Sequence, residues 1–453
     1  VVWTYLDKTI DDWRSLGSRR LDEQRTRVDR LQAYYDGEPV GHTLEGRQRD
    51  IFRRLLREAR ANWCELIVNA VAERLAVVGF RFGDDTIEDL AWYIWQANLL
   101  DADSEMVQTD ALVCGHSYVS VWPDDENPSG VSIYPEHPSE VITFHAAPER
   151  REAVAAYKSF ADDFGERVEV VILPELVATW REPGGALEVE VNELGVVPYE
   201  DLVPAPRTIG SPRSELHSAI PFQDRINTVV YNRQVAADFG AFRQVTATGI
   251  HLKRTEDGGY EPPFDVGADR LLISENDAAR FGVIPEATLR GYLDAEEMDV
   301  RHLAAITQTP PHYLLGQMIN IPASGMKAAE TGLVAKVRRR AAHLGEGWER
   351  VIRRALSYVG SAGAAEVEAE AIWRDFESRS EGETVDALLK MRALGVPLQI
   401  LWERWGASPQ DVKRWEDLAE VEAEAEAEAA AEQAAALAAA GAPLPPTGGG
   451  TSG

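Results

Sequence analysis

The chain has 453 residues, a formal net charge of −29, 45% hydrophobic residues and 27% charged ones, which is apolar material for a sizeable core spread over about two to four compact units. Acidity on this scale is the reverse of the basic face that a sequence-specific DNA binder carries, which argues against tight DNA binding but not against a surface past which DNA slides. No run of about eighteen apolar residues marks a membrane span, the opening VVWTYLDKTIDDWR lacks a basic stretch leading into an apolar one, and Cys64 and Cys114 stand outside any CxxC pattern, which argues against a disulfide or zinc site and for a reducing compartment.

The first part of the chain reads as helical. LDEQRTRVDRLQAYYDGEPV sets Leu21, Val28, Leu31 and Tyr35 at helical spacing and stops at Gly37, with Pro39 beyond. ANWCELIVNAVAERLAVVGF places Trp63, Leu66, Ile67, Ala70, Val71, Arg74 and Leu75 on one stripe, closed by Gly79. Further helices are expected near 87–98 and 104–112. DADSE, at Asp101 to Glu105, has part of a calcium-loop pattern but lacks its glycine and terminal glutamate, and it reads as an acidic helix start. The period then changes to two. SYVSVW, VSIY, EVITF, VEVVIL, LVATW and LEVEV predict an antiparallel sheet with hairpins from Ser117 to about Val197, with Trp122 and Val171 in its core.

Helix returns at Ser214 and runs to Gly240, with Ile226, Val229, Val230, Ala236 and Phe239 on one side. A β-rich stretch follows, through RQVTATGIHL, RLLIS and FGVI, with a hairpin tip at EDGGYE. A second helix covers about Thr288 to Thr307. Next comes QTPPHYLLGQMINIPASGMKAAETG, and then a helix of some thirty residues, with a kink expected at Gly345 and Gly347. AEVEAEAIWRDF is strand-like. Helices from Thr384 to about Ala440 break at 395–397 and at Gly406. The last of them, EVEAEAEAEAAAEQAAALAAA, favours helix but has almost no apolar stripe, and GAPLPPTGGGTSG is expected to be disordered. The fold class is therefore α+β.

Catalytic signatures are absent: no GxxxxGK[ST], GxSxG, HExxH or EF-hand pattern occurs, and the nine histidines are scattered. No catalytic residue, metal ligand or cofactor site is expected. The feature that asks for an explanation is Leu314 to Pro322, LLGQMINIP, which carries no charge. A solvent loop would be more polar. Either it packs as a buried connection on its own subunit, or it projects into a confined space and meets copies of itself.

Several stretches resemble, in order and spacing, the portal proteins of tailed double-stranded DNA bacteriophages of the siphophage type. They are YYDGEP at Tyr34 to Pro39, NWCELIVNAVAERLAVVGF, WQANLLD at Trp95 to Asp101, and DALVCGHSYVSVW at Asp110 to Trp122. TPPHYLLG followed by IPASGMKAAETGLVAKVRRR resembles the family's Pro-Pro-x-x-Leu-Gly loop and the start of its long helix. WRDFESRSEGETVDALLKMRALGVPLQILWERWG resembles its strand end and helix pair. The Ala/Glu tail after Ala419 departs from the pattern.

The resemblance implies a homo-oligomeric ring of about twelve copies at one capsid vertex. Residues 1–213 would form the wing, 214–240 and 288–308 the two stem helices, and 241–287 the clip. Residues 309–325 would be the tunnel loop, 326–378 the returning wing with its long kinked helix, 379–440 the crown, and 441–453 the tail. Double-stranded DNA would pass without sequence preference beside Leu315, Gly316, Gln317, Met318, Ile319, Asn320, Ile321 and Pro322. The implied partners are the large terminase subunit, the major capsid and scaffolding proteins and the head–tail adaptor, with no membrane. The implied setting is the virion, after assembly in the host cytoplasm. Another head or adaptor component, or a hydrolase with an acidic site, stays open on the residues alone.

Simple geometry agrees with a conduit. About twelve helices packed ~10 Å apart close a circle of ~120 Å, roughly 38 Å across the axes, and leave a bore of ~28 Å once a helix thickness of ~10 Å is removed. Such a ring carries a net charge of roughly −350, which disfavours sticking to phosphate. The long helix is the basic exception, with Lys327, Lys336, Arg338, Arg339, Arg340, Arg350, Arg353 and Arg354 against Glu330, Glu346 and Glu349. Those cations would either touch DNA or bridge to acidic neighbours across subunit interfaces, and the abundance of carboxylates favours the second.

Overall fold

A computed structural model describes residues 4–5, 7–38, 59–146, 152–182, 187–241, 245–249, 254–255, 259, 276, 278–283, 288–316, 323–365, 368–377, 381–407 and 409–440. After a short N-terminal hairpin, helix α1 (Ile10–Tyr35) starts at a capping box. The Thr9 hydroxyl accepts from Asp12 N at 3.1 Å, and the Asp12 carboxylate accepts from Thr9 N at 2.9 Å. Its buried side is Trp13, Gly17, Leu21, Val28, Leu31 and Tyr34, a helical stripe that begins earlier than the sequence pattern suggested. Helix α2 (Trp63–Ala72) leads into strand β1 (Val77–Arg81), and helices α3 (Asp85–Ala97) and α4 (Leu100–Cys114) follow. Asp101 and Asp103 fall in the first turn of α4, where negative charge suits the helix dipole. Asp101 also accepts from Trp95 Nε1 and Gln96 Nε2, both at 2.9 Å.

The expected single sheet is two sheets. Strands β2 (Ser117–Pro123), β3 (Val131–Glu136) and β9 (Tyr199–Leu202) form one, in the order β9-β2-β3. Strands β4 (Val141–His145), β5 (Ala153–Ala161), β6 (Arg167–Ile172), β7 (Leu176–Glu182) and β8 (Glu188–Val191) form the other, in the order β8-β7-β6-β5-β4. All pairs are antiparallel. The split falls at the turn after β3, where Glu140 N and Val141 N both donate to His137 O and the chain leaves the first sheet. Helix α1 covers the five-stranded sheet, with Trp13 and Leu21 against Tyr157, Val171, Leu176 and Trp180. Tyr118, Val141, Ala156, Ile172 and Tyr199 pack between the two sheets. Val171 is core as expected, at 1% exposed. Trp122 is only half-buried, edge-on to Tyr199 at 6.5 Å, because it sits at the end of its strand beside an exposed Pro123.

Helix α5 (Ile220–Ala241) begins after a 3₁₀ turn at Glu215–His217, later than the Ser214 start that the pattern suggested; Pro221 is tolerated in its first turn. Strands β10 (Val245–Thr248) and β11 (Arg280–Val283) pair before helix α6 (Arg290–Thr307). The RLLIS strand, all of EDGGYE except Gly259, and the 441–453 tail lie outside the described residues. Where an unbroken loop was expected, Pro311–Leu315 forms a short helix, α7, with proline at its start and Gly316 (φ 62°) at its end.

Helix α8 (Ala323–Tyr358) runs as one helix through Gly345 and Gly347. Those glycines mark close packing: a Cβ at 345 would sit 3.4 Å from Trp373 Nε1, and one at 347 would sit 3.0 Å from Leu202 Cγ. Strand β12 (Glu370–Trp373) returns to pair with β1, far away in sequence. Trp348 of α8 meets Trp95 edge-on at 5.0 Å in the main core, beside Ile67, Ile94, Leu112 and Val351. The described residues close with α9 (Glu381–Ala393), α10 (Leu398–Trp405) and α11 (Pro409–Ala440), separated at Gly395 (φ 90°) and Gly406 (φ 102°), as the sequence predicted.

Candidate functional site

Helices α5 and α6 run in opposite directions, tied by Arg225 to Asp299 at 2.6 Å and by an Arg233–Glu296 pair. Their bases are buried at Ile226, Val230, Val300 and Leu303. Farther along, Leu289, Leu293 and Met298 of this pair are 39%, 50% and 51% exposed. The Tyr-Tyr element at the end of α1 braces the base. Tyr34 Oη donates to Asp224 at 2.8 Å, Tyr35 Oη donates to Asn69 at 3.0 Å, and Asn62 Nδ2 donates to Tyr35 O at 2.7 Å.

The chain passes from α6 to α8 through the uncharged segment. Leu315 packs half-buried against the main core, and Gly316 is exposed. Gln317, Met318, Ile319, Asn320, Ile321 and Pro322 lie outside the described residues, as does the side chain of Lys327. On either side of the segment the structure is well tied. Arg74 Nη2, beyond the end of α2, donates to Tyr313 Oη at 2.6 Å and lies 4.0 Å from Glu330 Oε1. Its Nη1 donates to Phe376 O at 3.2 Å.

Several cations of α8 pair within the chain. Lys336 Nζ lies 3.3 Å from Glu215 Oε2 and donates to Thr307 O at 2.7 Å, and Arg340 Nε reaches the same carboxylate at 2.5 Å. Burial alone would raise the Glu215 carboxyl, but the Lys336 and Arg340 cations outweigh it and hold it below its ordinary value. Burial pulls the Lys336 ammonium down, more than Glu215 restores, with Arg340 and Arg339 adding to the fall. One turn group higher, Arg350 and Arg354 share buried Glu200, at 3.1 Å and 2.7 Å, and Arg350 Nη2 donates to Asp201 O at 2.9 Å. Arg338 pairs with Glu377 at 2.8 Å at the surface, and Arg339 donates to Gln308 at 3.1 Å.

Lys336, Arg340, Arg350 and Arg354 each meet a carboxylate of their own chain. The reason is geometric: the inner face of α8 lies against β9 and the 215–217 turn, and a buried carboxylate there requires a cation. Glu200 and Glu215 escaped notice in the sequence. The signal that could have found them is a lone glutamate inside an apolar context, as in PYEDL and SELHSAI.

Among the described residues no group of three or more His, Cys, Asp or Glu is arranged to hold a metal ion, and no helix is long and apolar enough to cross a membrane. Cys64 and Cys114 are buried free thiols, both pushed up to about 12 by burial, so neither is a ready nucleophile. What the geometry offers is mechanical: an anchored pair of helices, tied flanks on either side of 317–322, and exposed apolar positions beyond the anchor.

The sequence also matches known proteins. The sequence model of the family described as phage portal protein, SPP1 Gp6-like, matches residues 18–432. The portal protein of Mycobacterium phage D29 is 27% identical over 433 residues, covering 88% of this chain and 86% of the relative. That of Mycobacterium phage L5 is 26% identical over 422 residues, covering 85% and 84%. Among solved structures, a chain in the neck of a native gene transfer agent particle computed with C12 symmetry is 13% identical, with a TM-score of 0.44, covering 84% of this chain and 99% of that one. A chain from the virion of the native particle is 14% identical, with a TM-score of 0.41, covering 84% and 94%.

Proposed function

The chain belongs to the SPP1 Gp6-like phage portal protein family, and on that premise we propose that about twelve copies close into a ring around a channel for double-stranded DNA. The family is structural, and the ring does its work by shape. The α5–α6 pair is the stem, the β10–β11 region is the clip, α1 to β9 with α8 and β12 form the wing, and α9 to α11 form the crown. Residues 309–325 carry the channel-lining loop, with Leu315, Gly316 and the uncharged Gln317 to Pro322 nearest the duplex.

The observation that carries this reading is the α5–α6 pair: fixed at its base through Tyr34, Lys336 and Glu215, and apolar but uncovered beyond it at Leu289, Leu293 and Met298. Neighbouring stems in a ring would cover those side chains, each worth about 1.5–3 kcal/mol when fully buried. The general acidity of the chain keeps the wall from gripping phosphate.

Energy for packaging comes from a partner in this scheme, the large terminase subunit, docked on the clip. The head–tail adaptor later takes that place. Major capsid and scaffolding proteins surround the wing at the portal vertex of the virion, and assembly precedes this in the host cytoplasm. Mixing the purified protein with the motor, proheads and linear DNA tests the reading: packaging should require the ring, and nuclease-protected DNA at the same level without it would refute it.

A further inference from the structure

The chain enters and leaves 317–322 through α7 and the first turns of α8, and one guanidinium is bonded to the first and in ion-pair range of the second. Arg74 donates to Tyr313 Oη of α7 and stands 4.0 Å from Glu330 of α8, while Tyr313 Oη in turn donates to Glu330 Oε1 at 3.5 Å. A third contact, to Phe376 O just past β12, ties the same group to the wing. The Arg74 and Glu330 side chains are 11% and 14% exposed, so water competes little for these bonds.

A five-residue helix such as α7 is not stable on its own, so its position is set by what holds it. His312 and Leu314 are buried on one side, and Tyr313 points its hydroxyl to Arg74. A guanidinium is a rigid planar fork whose donors diverge at fixed angles. One arm of this fork is bonded to α7 through Tyr313 and the other to the wing through Phe376 O, so it sets their separation, and the Tyr313 hydroxyl carries the link on to Glu330 of α8. An ammonium at the same place would keep the charge and lose the fixed spacing.

We infer that Arg74 is a positioning residue for DNA passage, fixing where the two ends of the channel-lining segment leave the wing. This rests on the portal reading of that segment. Each copy in the ring then presents its segment from the same height and direction, and a collar of equivalent loops requires that uniformity.

Two full-length variants test it, Arg74→Lys and Tyr313→Phe, the second removing a single hydroxyl in case the first fails to fold. Amide hydrogen exchange in assembled rings should accelerate about tenfold at 313–316 and 325–331 while staying unchanged along 333–356, and DNA packaging should slow severalfold. Arg74→Lys should not rescue either readout despite its charge. Unchanged exchange at both flanks, or acceleration spread evenly along α8, would overturn the positioning role. Local acceleration with normal packaging would overturn its part in DNA passage. Should the wild-type protein form no ring, the portal reading falls, while the exchange comparison on the free chain still decides the clamp.

Discussion

Lys336 and Glu215 meet at 3.3 Å with side chains only 4% and 7% exposed, and the same ammonium donates to Thr307 O at the end of α6. One lysine of the long helix thus holds the turn that precedes α5 and the finish of α6. The C-terminal carbonyl of α6 offers partial negative charge, which helps to balance the second cation, Arg340, on the single carboxylate.

Glu215→Gln should destabilise the fold by about 3–5 kcal/mol, because it leaves Lys336 and Arg340 buried without a counter-charge. Lys336→Met should cost less, about 1–3 kcal/mol, since Glu215 keeps Arg340 and only Thr307 O loses its donor. Denaturant unfolding at fixed protein concentration gives the order. Equal costs would mean that the two cations do not share the carboxylate.

His116 predicts a pH dependence. It is wholly buried, accepts from Arg27 Nη2 at 3.3 Å, and lies edge-on to Tyr118. Burial, with Arg27 beside it, pushes the imidazole from 6.5 down to about 3. Below pH 6.5 the unfolded chain takes up a proton that the folded chain refuses, so this contribution is intact above 6.5 and is lost as pH falls toward 3. Melting temperature should therefore drop more steeply between pH 6.5 and 4 in the wild type than in His116→Gln. Parallel curves would count against a neutral buried imidazole.

The tail of α11 is exposed along its acidic run, from Glu420 to Glu432. A truncation before Glu420 should leave ring formation and melting temperature unchanged, because no apolar stripe is lost. Dissociation of the truncated protein on a sizing column would make the tail an assembly element.

The proposed channel-lining role of 317–322 can be tested through the segment's neutrality. Replacing Gln317 and Asn320 with arginine would place about two dozen cations around the duplex, each adding phosphate affinity and salt dependence. Rings should form, packaging should slow or stall, and added salt should partly restore it. Intact rings that package at the normal rate would show that neutrality is unimportant, and a misfolded double variant would place the segment inside its own subunit.

The sequence was most legible where one local rule decides the outcome. Gly395 and Gly406 ended helices because positive φ there suits glycine, and Val171 lay in the core because its strand alternates against α1. It was least legible where distant elements decide. The division into two sheets depends on β9 returning to β2, and the pairing of β12 with β1 spans most of the chain. The cations of α8 looked available because Glu200 and Glu215 sit in elements whose proximity to α8 no local pattern records. Gly345 and Gly347 suggested a bend; they also admit Trp373 and Leu202 at close range, which no local pattern records.

The central claim is the closed ring. Native mass measurement at micromolar concentration, with negative-stain imaging of the same sample, addresses it directly. About twelve chains of 50.1 kDa should give a particle of roughly 600 kDa with a central hole. A compact 50.1 kDa monomer that stays monomeric when capsid and scaffolding proteins are added would contradict the account.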